Sequence, residues 1–307
     1  MIRLTFRQLS AFEAVARLGS VVAAARDLGL SQSAVSMALR DLEKSLGADL
    51  FQRQRKKLTL NENGRRLQPR ARTLLAQARE IEGEAAGGPL NGELDIAAGI
   101  TIGNYVIPAL CAAFIRKHPQ VRLKLTVMQA AQVVDAVDNL QCDVGLVEGP
   151  TIRPRLAVTE WRRDPLTVIA PPGHRHAGRR VALSTLRHET WCLLPINTVG
   201  RSLFTKPAVD LIGHLAVGFE SNGVEAIKRA VAAGGGLSCL SRVTVADDLA
   251  RGTLAEVRVR ELDLDQAFNI IMRRDVYQGA LAASFVEFVM ASRGGKPESQ
   301  AEAIIES

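Results

Sequence analysis

Ser31-Gln32-Ser33-Ala34-Val35-Ser36-Met37-Ala38-Leu39-Arg40-Asp41-Leu42-Glu43-Lys44-Ser45-Leu46-Gly47 carries two patterns at once. Val35, Ala38, Leu39, Leu42 and Leu46 recur at helical spacing as one apolar stripe, while Gln32, Ser33, Ser36 and Arg40 fall on a different, polar face. Ser31 is placed to cap this helix, which runs to about Gly47. Upstream, Phe6, Leu9, Phe12, Val15 and Ala16 form the apolar face of a helix that stops at Gly19. Ser20 then caps a short second helix with Val21, Ala24, Ala25 and Leu28 inward, and Gly29 supplies the left-handed residue at its end. Two short helices joined by a tight turn, the second presenting short hydrogen-bonding side chains near its N-terminus, form a helix-turn-helix. Gln suits the adenine edge and Arg the guanine edge in the major groove. A solvated polar face accounts for the same periodicity, so the residues after Gly47 have to decide between the two.

Those residues are basic. Leu50-Phe51-Gln52-Arg53 and Lys57-Leu58-Thr59-Leu60 read as two short strands around Gln54-Arg55-Lys56, and four of the five residues from Arg53 to Lys57 are cationic. Such a hairpin after a helix-turn-helix is a wing, with Arg53, Arg55 and Lys56 placed to meet phosphates or a minor groove. The chain of 307 residues has a net charge of +7, and all of the excess lies in residues 1–82, with 15 Lys/Arg against 8 Asp/Glu. The remaining residues balance at 24 of each sign. One polyanion-facing module is therefore joined to a neutral one.

Composition excludes other classes. A chain 47% hydrophobic and 23% charged buries a sizeable core and is neither disordered nor a small disulfide scaffold. No apolar run approaches the ~18 residues of a membrane span, and the N-terminus lacks a signal peptide's apolar core, so the cytoplasm is the expected compartment. Cys111, Cys142, Cys192 and Cys239 are far apart and read as separate thiols rather than a zinc site or disulfide framework.

Asn61 is placed to cap a helix over about 61–86, roughly 39 Å long at 1.5 Å per residue. Leu67, Ala71, Leu74, Leu75, Ala78 and Ile81 recur along it at spacings of three and four. This stripe is expected to pair with the same helix of a second chain, the other reading being that it packs on its own domain. Pro69 implies a kink or restart. Gly87-Gly88-Pro89-Leu90-Asn91-Gly92 reads as a hinge.

From Glu93 strands and helices alternate. Strands at 94–98, 122–128 and 143–147 enclose helices at 102–118 and 132–140, a parallel βαβαβ unit. A second unit takes strands at 166–170, 216–219 and 237–240, with helices at 224–233 and from Val243. A strand at 268–273 returns toward the first unit, and a helix at 281–290 closes the fold. Two open α/β lobes place a ligand cleft at the carboxyl ends of their strands. There Thr101 is expected to cap a helix, as are Asn222 and Glu225 together in a capping box after Ser221. Two helix N-termini of this kind favour a small anion. Glu148 at the cleft rim would repel an anion unless it is protonated or meets a donor on the ligand.

The stretches Phe6-Arg7-Gln8-Leu9-Ser10-Ala11-Phe12, Ser31-Gln32-Ser33-Ala34-Val35-Ser36 and Leu42-Glu43-Lys44-Ser45-Leu46-Gly47-Ala48-Asp49-Leu50-Phe51-Gln52-Arg53 resemble the DNA-binding domain of the LysR-type transcriptional regulators over the first 65 positions. The departures are Met37, where Arg or Lys is common, and Ser33, where many members have Pro. The resemblance implies an α/β architecture: a winged helix-turn-helix at 1–60, a linker or dimerisation helix at 61–88, an effector domain at 89–295 and a mobile tail at 296–307. The effector domain would consist of two lobes resembling periplasmic binding proteins. Gln32, Ser33 and Ser36 would meet bases or nearby phosphates, and Arg53 and Arg55 the backbone; the effector would lie against Thr101, Thr198 and Arg201, to which the reading of the cleft loops adds Ile102, Gly103, Glu148, Ser221 and Asn222. Thr198 and Arg201 keep the polar and cationic roles of a Gly-Ser-Gly-Thr-Arg-like segment. The pairing of 101–108 with 143–150 is similar to branches that control sulfur assimilation and carbon fixation, which implies sulfite, sulfate or a small metabolite anion as effector and no cofactor.

The expected partners are an inverted-repeat operator in duplex DNA, a small effector, one or three further copies of the chain, and RNA polymerase. An enzyme is not expected: Gly236-Leu237-Ser238-Cys239-Leu240 lacks the second glycine of a nucleophile elbow. There is no P-loop, and His188-Glu189 lacks zinc-protease spacing. A DNA-compacting protein with an empty cleft remains the alternative.

Overall fold

The computed structural model describes residues 3–54, 57–85 and 89–293. Arg55 and Lys56, the Gly87-Gly88 part of the expected hinge and the expected tail lie outside the described residues. The chain opens with α1 (Phe6–Leu18), α2 (Val21–Asp27) and α3 (Gln32–Leu46), then the antiparallel hairpin β1 (Phe51–Gln54) and β2 (Lys57–Leu60). Local chemistry sets each end. Ser20 and Ser31 accept the amide protons of Ala23 and Ala34, and Gly19 and Gly47 turn left-handed at φ 66° and 65°. Thr5 and Gln8 also form a reciprocal capping box that was not expected from the sequence. Leu9, Phe12, Val15, Val35, Leu39, Leu42 and Leu50 fill the core, whereas Phe6 and Leu46, expected inside, are exposed.

The linker helix α4 (Glu62–Ala85) starts where Asn61 Oδ1 accepts the Gly64 amide proton at 2.9 Å. It runs without interruption through Pro69, so the expected restart is absent. The expectation that its whole stripe is kept for a second chain is also corrected. Ala71 and Leu75 are buried in the winged domain's core, with Leu67 packed against them, and Leu74 and Ile81 stay exposed. Half of the stripe serves its own domain because α1 lies directly against it.

The larger module contains β3 (Gly92–Ala98), α5 (Ile100–Tyr105), α6 (Ile107–Lys117), β4 (Val121–Val127), α7 (Ala130–Asp138), β5 (Val144–Glu148), β6 (Leu156–Ala170), β7 (Arg180–Val181), β8 (Thr190–Leu193), α8 (Val199–Ile212), β9 (Ala216–Glu220), α9 (Val224–Ala232), β10 (Ser238–Ser241), α10 (Arg242–Arg251), β11 (Ala255–Val259), β12 (Asp265–Arg273) and α11 (Gly279–Ala291). Its main sheet has the order β4-β3-β5-β12-β6-β11-β7, with β10 also on β6, and β8 and β9 pair beside it. The parallel pairing of β3 with β4 and β5 is as expected, and so is the return of β12 to the first lobe. β6 joins the lobes: its first ten residues pair with β12 and its last five with β10 and β11.

Three sequence expectations change here. The helix expected over 102–118 is two helices, broken at Val106 (φ −121°, ψ −60°), because Pro108 has no amide proton to give and sits in the first turn of α6. The strand expected at 166–170 is the second half of the fifteen-residue β6. Helix α8 is not among the elements expected from the sequence; Pro207 lies inside it.

Candidate effector cleft and DNA-reading face

On α3, Gln32, Ser33 and Arg40 are exposed and Ser36 is half-buried, all away from the apolar stripe. Ser33 shares a hydrogen bond with Ser31, and Arg40 Nε donates to the Ser36 carbonyl at 3.4 Å. Arg53 lies in β1 opposite Leu58; Arg55 and Lys56 lie outside the described residues.

In the first lobe Thr101, Ile102 and Gly103 are gathered in the first turn of α5. Thr101 is not the cap. Gly99 takes that position without a side-chain bond, and Glu148, at the end of β5, supplies the missing acceptor. Its Oε1 accepts the amide protons of Thr101 at 3.0 Å and Ile102 at 3.1 Å. The expected rim carboxylate is thus 9% exposed and occupies the anion cradle of that helix. Burial pushes its pKa up, and the amide donors oppose the rise without cancelling it. The fit depends on glycine, for a Cβ on Gly99 would lie 2.0 Å from Glu148 Oε2.

In the second lobe Thr198 precedes α8, but its hydroxyl donates to the Pro195 carbonyl at 2.8 Å instead of capping. Arg201, in the first turn, is 8% exposed, and its Nε and Nη1 have no hydrogen-bond partner among the described residues. Burial lowers its pKa, and the charge of Glu220 opposes this. The segments meet at Gly149, one residue past Glu148: a Cβ there would strike Val199 Cγ1 at 2.8 Å. Thr198 and Arg201 therefore belong to the same junction as Glu148. Ser221 accepts from Gly223 at 3.2 Å, and Asn222 is exposed; the expected capping box is absent, because Gly223 precedes α9 and Glu225 has other partners.

Those partners link α5 of the first lobe to α9 and α10 of the second. Tyr105, at the end of α5, donates its hydroxyl to Glu225 Oε1 at 2.8 Å, and Lys228 Nζ lies 2.7 Å from both Glu225 and Asp248. The Lys228 ammonium also stands 5.6 Å from the centre of the Tyr105 ring. Sequence reasoning missed Tyr105, Lys228 and Asp248. The Glu225–Lys228 spacing of three was a legible helix-surface pair, but nothing local points to Tyr105.

A second junction ties the head to the first lobe. Arg72 on α4 donates to Asp143 Oδ1 and to the Leu140 carbonyl, and lies 3.9 Å from Glu13 of α1. Asp143 Oδ2 accepts the Asp95 amide proton at 3.0 Å. Asp143 directly precedes β5, whose five residues are all buried and whose last is Glu148.

A two-lobed module behind a winged helix-turn-helix narrows the choice of family, and comparison with known proteins decides it. The LysR substrate binding domain matches residues 87–293, and the bacterial regulatory helix-turn-helix proteins of the lysR family match residues 6–65. The chain belongs to the LysR family of transcriptional regulators. This LysR-type regulator is 41% identical over 263 residues to YeiE of Escherichia coli strain K12, described as an uncharacterized HTH-type transcriptional regulator, with 84% of this chain and 87% of that one covered. It is 33% identical over 293 residues to the RuBisCO operon transcriptional regulator of Allochromatium vinosum, covering 94% and 97%. Full-length OxyR from Pseudomonas aeruginosa shares the fold, with a TM-score of 0.73 at 22% identity and 94% of each chain covered. The LysR-type regulator therefore binds DNA through its winged head and a small effector through its two-lobed domain, and is not an enzyme. Among the described residues no helix is long and apolar enough to cross a membrane.

Proposed function

We propose that this LysR-type regulator responds to a small oxyanion or carboxylate held at the start of α8. The carrying observation is Arg201, a buried guanidinium whose Nε and Nη1 have no hydrogen-bond partner among the described residues. An unpaired buried charge is costly, and a ligand oxyanion would offset that cost with charge-assisted hydrogen bonds. Sulfite, sulfate or a small metabolite anion fits this donor set. The cradle of α5 already holds Glu148, so the ligand meets that side chain as a donor or meets its protonated form. Thr101, Ile102, Gly103, Thr198, Ser221 and Asn222 remain candidate lining residues around it.

The same reading gives the output. Closure on the effector shifts Glu148, and the rigid strand β5 carries that shift to Asp143 and hence to Arg72 on the linker. With residues 1–60 as head, 61–88 as linker and 89–295 as effector domain, two heads in a dimer or tetramer would bind an inverted repeat in the cytoplasm and present it to RNA polymerase. Gln32, Ser33, Ser36 and Arg40 would face the bases, and Arg53, Arg55 and Lys56 the phosphates. Thermal-shift titration of the full chain with sulfite, sulfate, phosphate and small carboxylates tests the effector class. A shift that Arg201→Gln abolishes supports the reading; no shift with any anion, or an equal shift in Arg201→Gln, refutes it.

A further inference from the structure

Met37 is the residue of α3 whose exposure disagrees most with its chemistry. Val35, Ala38, Leu39 and Leu42 on the same helix are packed in the core of the head. Met37 is 56% exposed. It stands one turn beyond Ser33, next to Ser36 and three residues before Arg40, so these side chains form one strip on the helix surface. An apolar side chain left in water costs roughly what its burial would recover, on the order of 25 cal/mol per Å². That recovery requires an apolar surface on whatever α3 meets.

We propose that Met37 is a specificity-determining residue whose thioether packs against the 5-methyl group of a thymine in each operator half-site. The inference rests on the reading of α3 as the helix that enters the major groove. On that groove's floor guanine, cytosine and adenine offer hydrogen-bonding atoms, and the thymine methyl is the apolar group. A thioether has no proton to donate and only a weak acceptor, so it can neither hold a phosphate nor read guanine. Its three rotatable bonds let it reach and adapt to a methyl on the groove floor. Charge favours DNA over a protein face as the occupant, since Arg40 follows on the same strip and Arg53, Arg55, Lys56 and Lys57 follow within twenty residues of Met37 in the sequence.

The test uses the full-length protein. Its preferred half-site is selected from a randomised duplex pool, and each thymine is then replaced in turn by deoxyuridine, which pairs identically but lacks the methyl. At one position per half-site the replacement weakens binding of the native protein about fourfold, the weight of roughly one buried methylene. Met37→Ala loses a similar factor on the thymine operator and is indifferent to deoxyuridine, while Met37→Leu keeps the dependence. The proposal is overturned if no thymine methyl matters to the native protein, or if Met37→Ala retains the same methyl dependence. Gln32→Ala separates the layers. If it relaxes base preference while Met37→Ala does not, the methyl contact alone fails; if neither variant changes preference, the reading of α3 fails with it.

Discussion

The Tyr105 hydroxyl on α5 donates to Glu225 Oε1 on α9 at 2.8 Å, and this bond spans the two lobes. Tyr105→Phe removes the bond and leaves the ring beneath Lys228. Because Glu225 is largely exposed, the expected stability loss is at most about 1 kcal/mol. A larger change is expected in effector affinity, since the open state of the cleft gains population. Urea unfolding and ligand titration of the same variant measure both, and a stability loss with unaltered affinity would place the bond outside the closing motion.

The clasp also carries a pH dependence. The Lys228 ammonium, then the Tyr105 hydroxyl, hold the Glu225 carboxyl below its ordinary value of 4.5. A depressed carboxylate contributes stability above its unfolded-state pKa and loses it as pH falls through the folded value. The stability difference between the native protein and Glu225→Gln is therefore present at neutral pH and shrinks below 4.5. Unfolding curves for both proteins at a series of acid pH values check it.

Glu148 behaves in the opposite sense. Burial raises its pKa above 4.5, so its protonated form is the better tolerated one in the folded chain. Its contribution to stability is highest at low pH, falls as pH rises from 4.5 to the folded value, and is level above that. Glu148→Gln removes this decline, which unfolding between about pH 4 and pH 8 would detect. Gly99→Ala forces a methyl into the carboxylate and costs about 1–3 kcal/mol, an overpacking penalty that a smaller residue at 148 relieves.

Arg72 and Asp143 are expected to transmit the effector signal. Arg72→Ala should leave effector affinity near its native value and remove the effector's influence on operator affinity. A double-mutant cycle with Asp143→Asn would return a coupling of about 1 kcal/mol for this partly buried pair. Operator titrations with and without effector decide it: full regulation in Arg72→Ala would show that the signal travels elsewhere.

For the head, Arg53→Ala combined with Arg55→Ala should weaken all DNA sequences alike and flatten the salt dependence by about two units, at ~0.9 per phosphate contact. Gln32→Ala should leave that slope unchanged and relax preference at one or two base positions. Binding measured on operator and random duplex across a salt series separates the two effects.

The head was legible because its instructions are short-range. Ser20, Ser31 and Asn61 bond to amides three residues on, Gly19 and Gly47 end helices at their own positions, and the hairpin pairs neighbours. The alternation of strands and helices was legible for the same reason in the first lobe, whereas β7, β8, α8 and β11 of the second were not read. Thr101, Asn222 and the linker stripe were misread where a local rule met a distant competitor. Glu148, 47 residues from Thr101, took the capping role, Gly223 took the position before α9, and the winged domain buried Ala71 and Leu75.

From the chain alone came a cationic helix-turn-helix with a wing, a long helix and two α/β lobes, because periodicity and capping record which face of each element is buried. The tertiary structure alone decided that Tyr105 meets Glu225 across 120 positions, that Arg72 meets Asp143 across 71, and that Arg201 is buried with its Nε and Nη1 lacking a hydrogen-bond partner among the described residues. A burial pattern says that a residue faces inward without saying what it faces. That choice is made by the path of β6 between the lobes and by the docking of α4, which bring remote side chains within bonding distance.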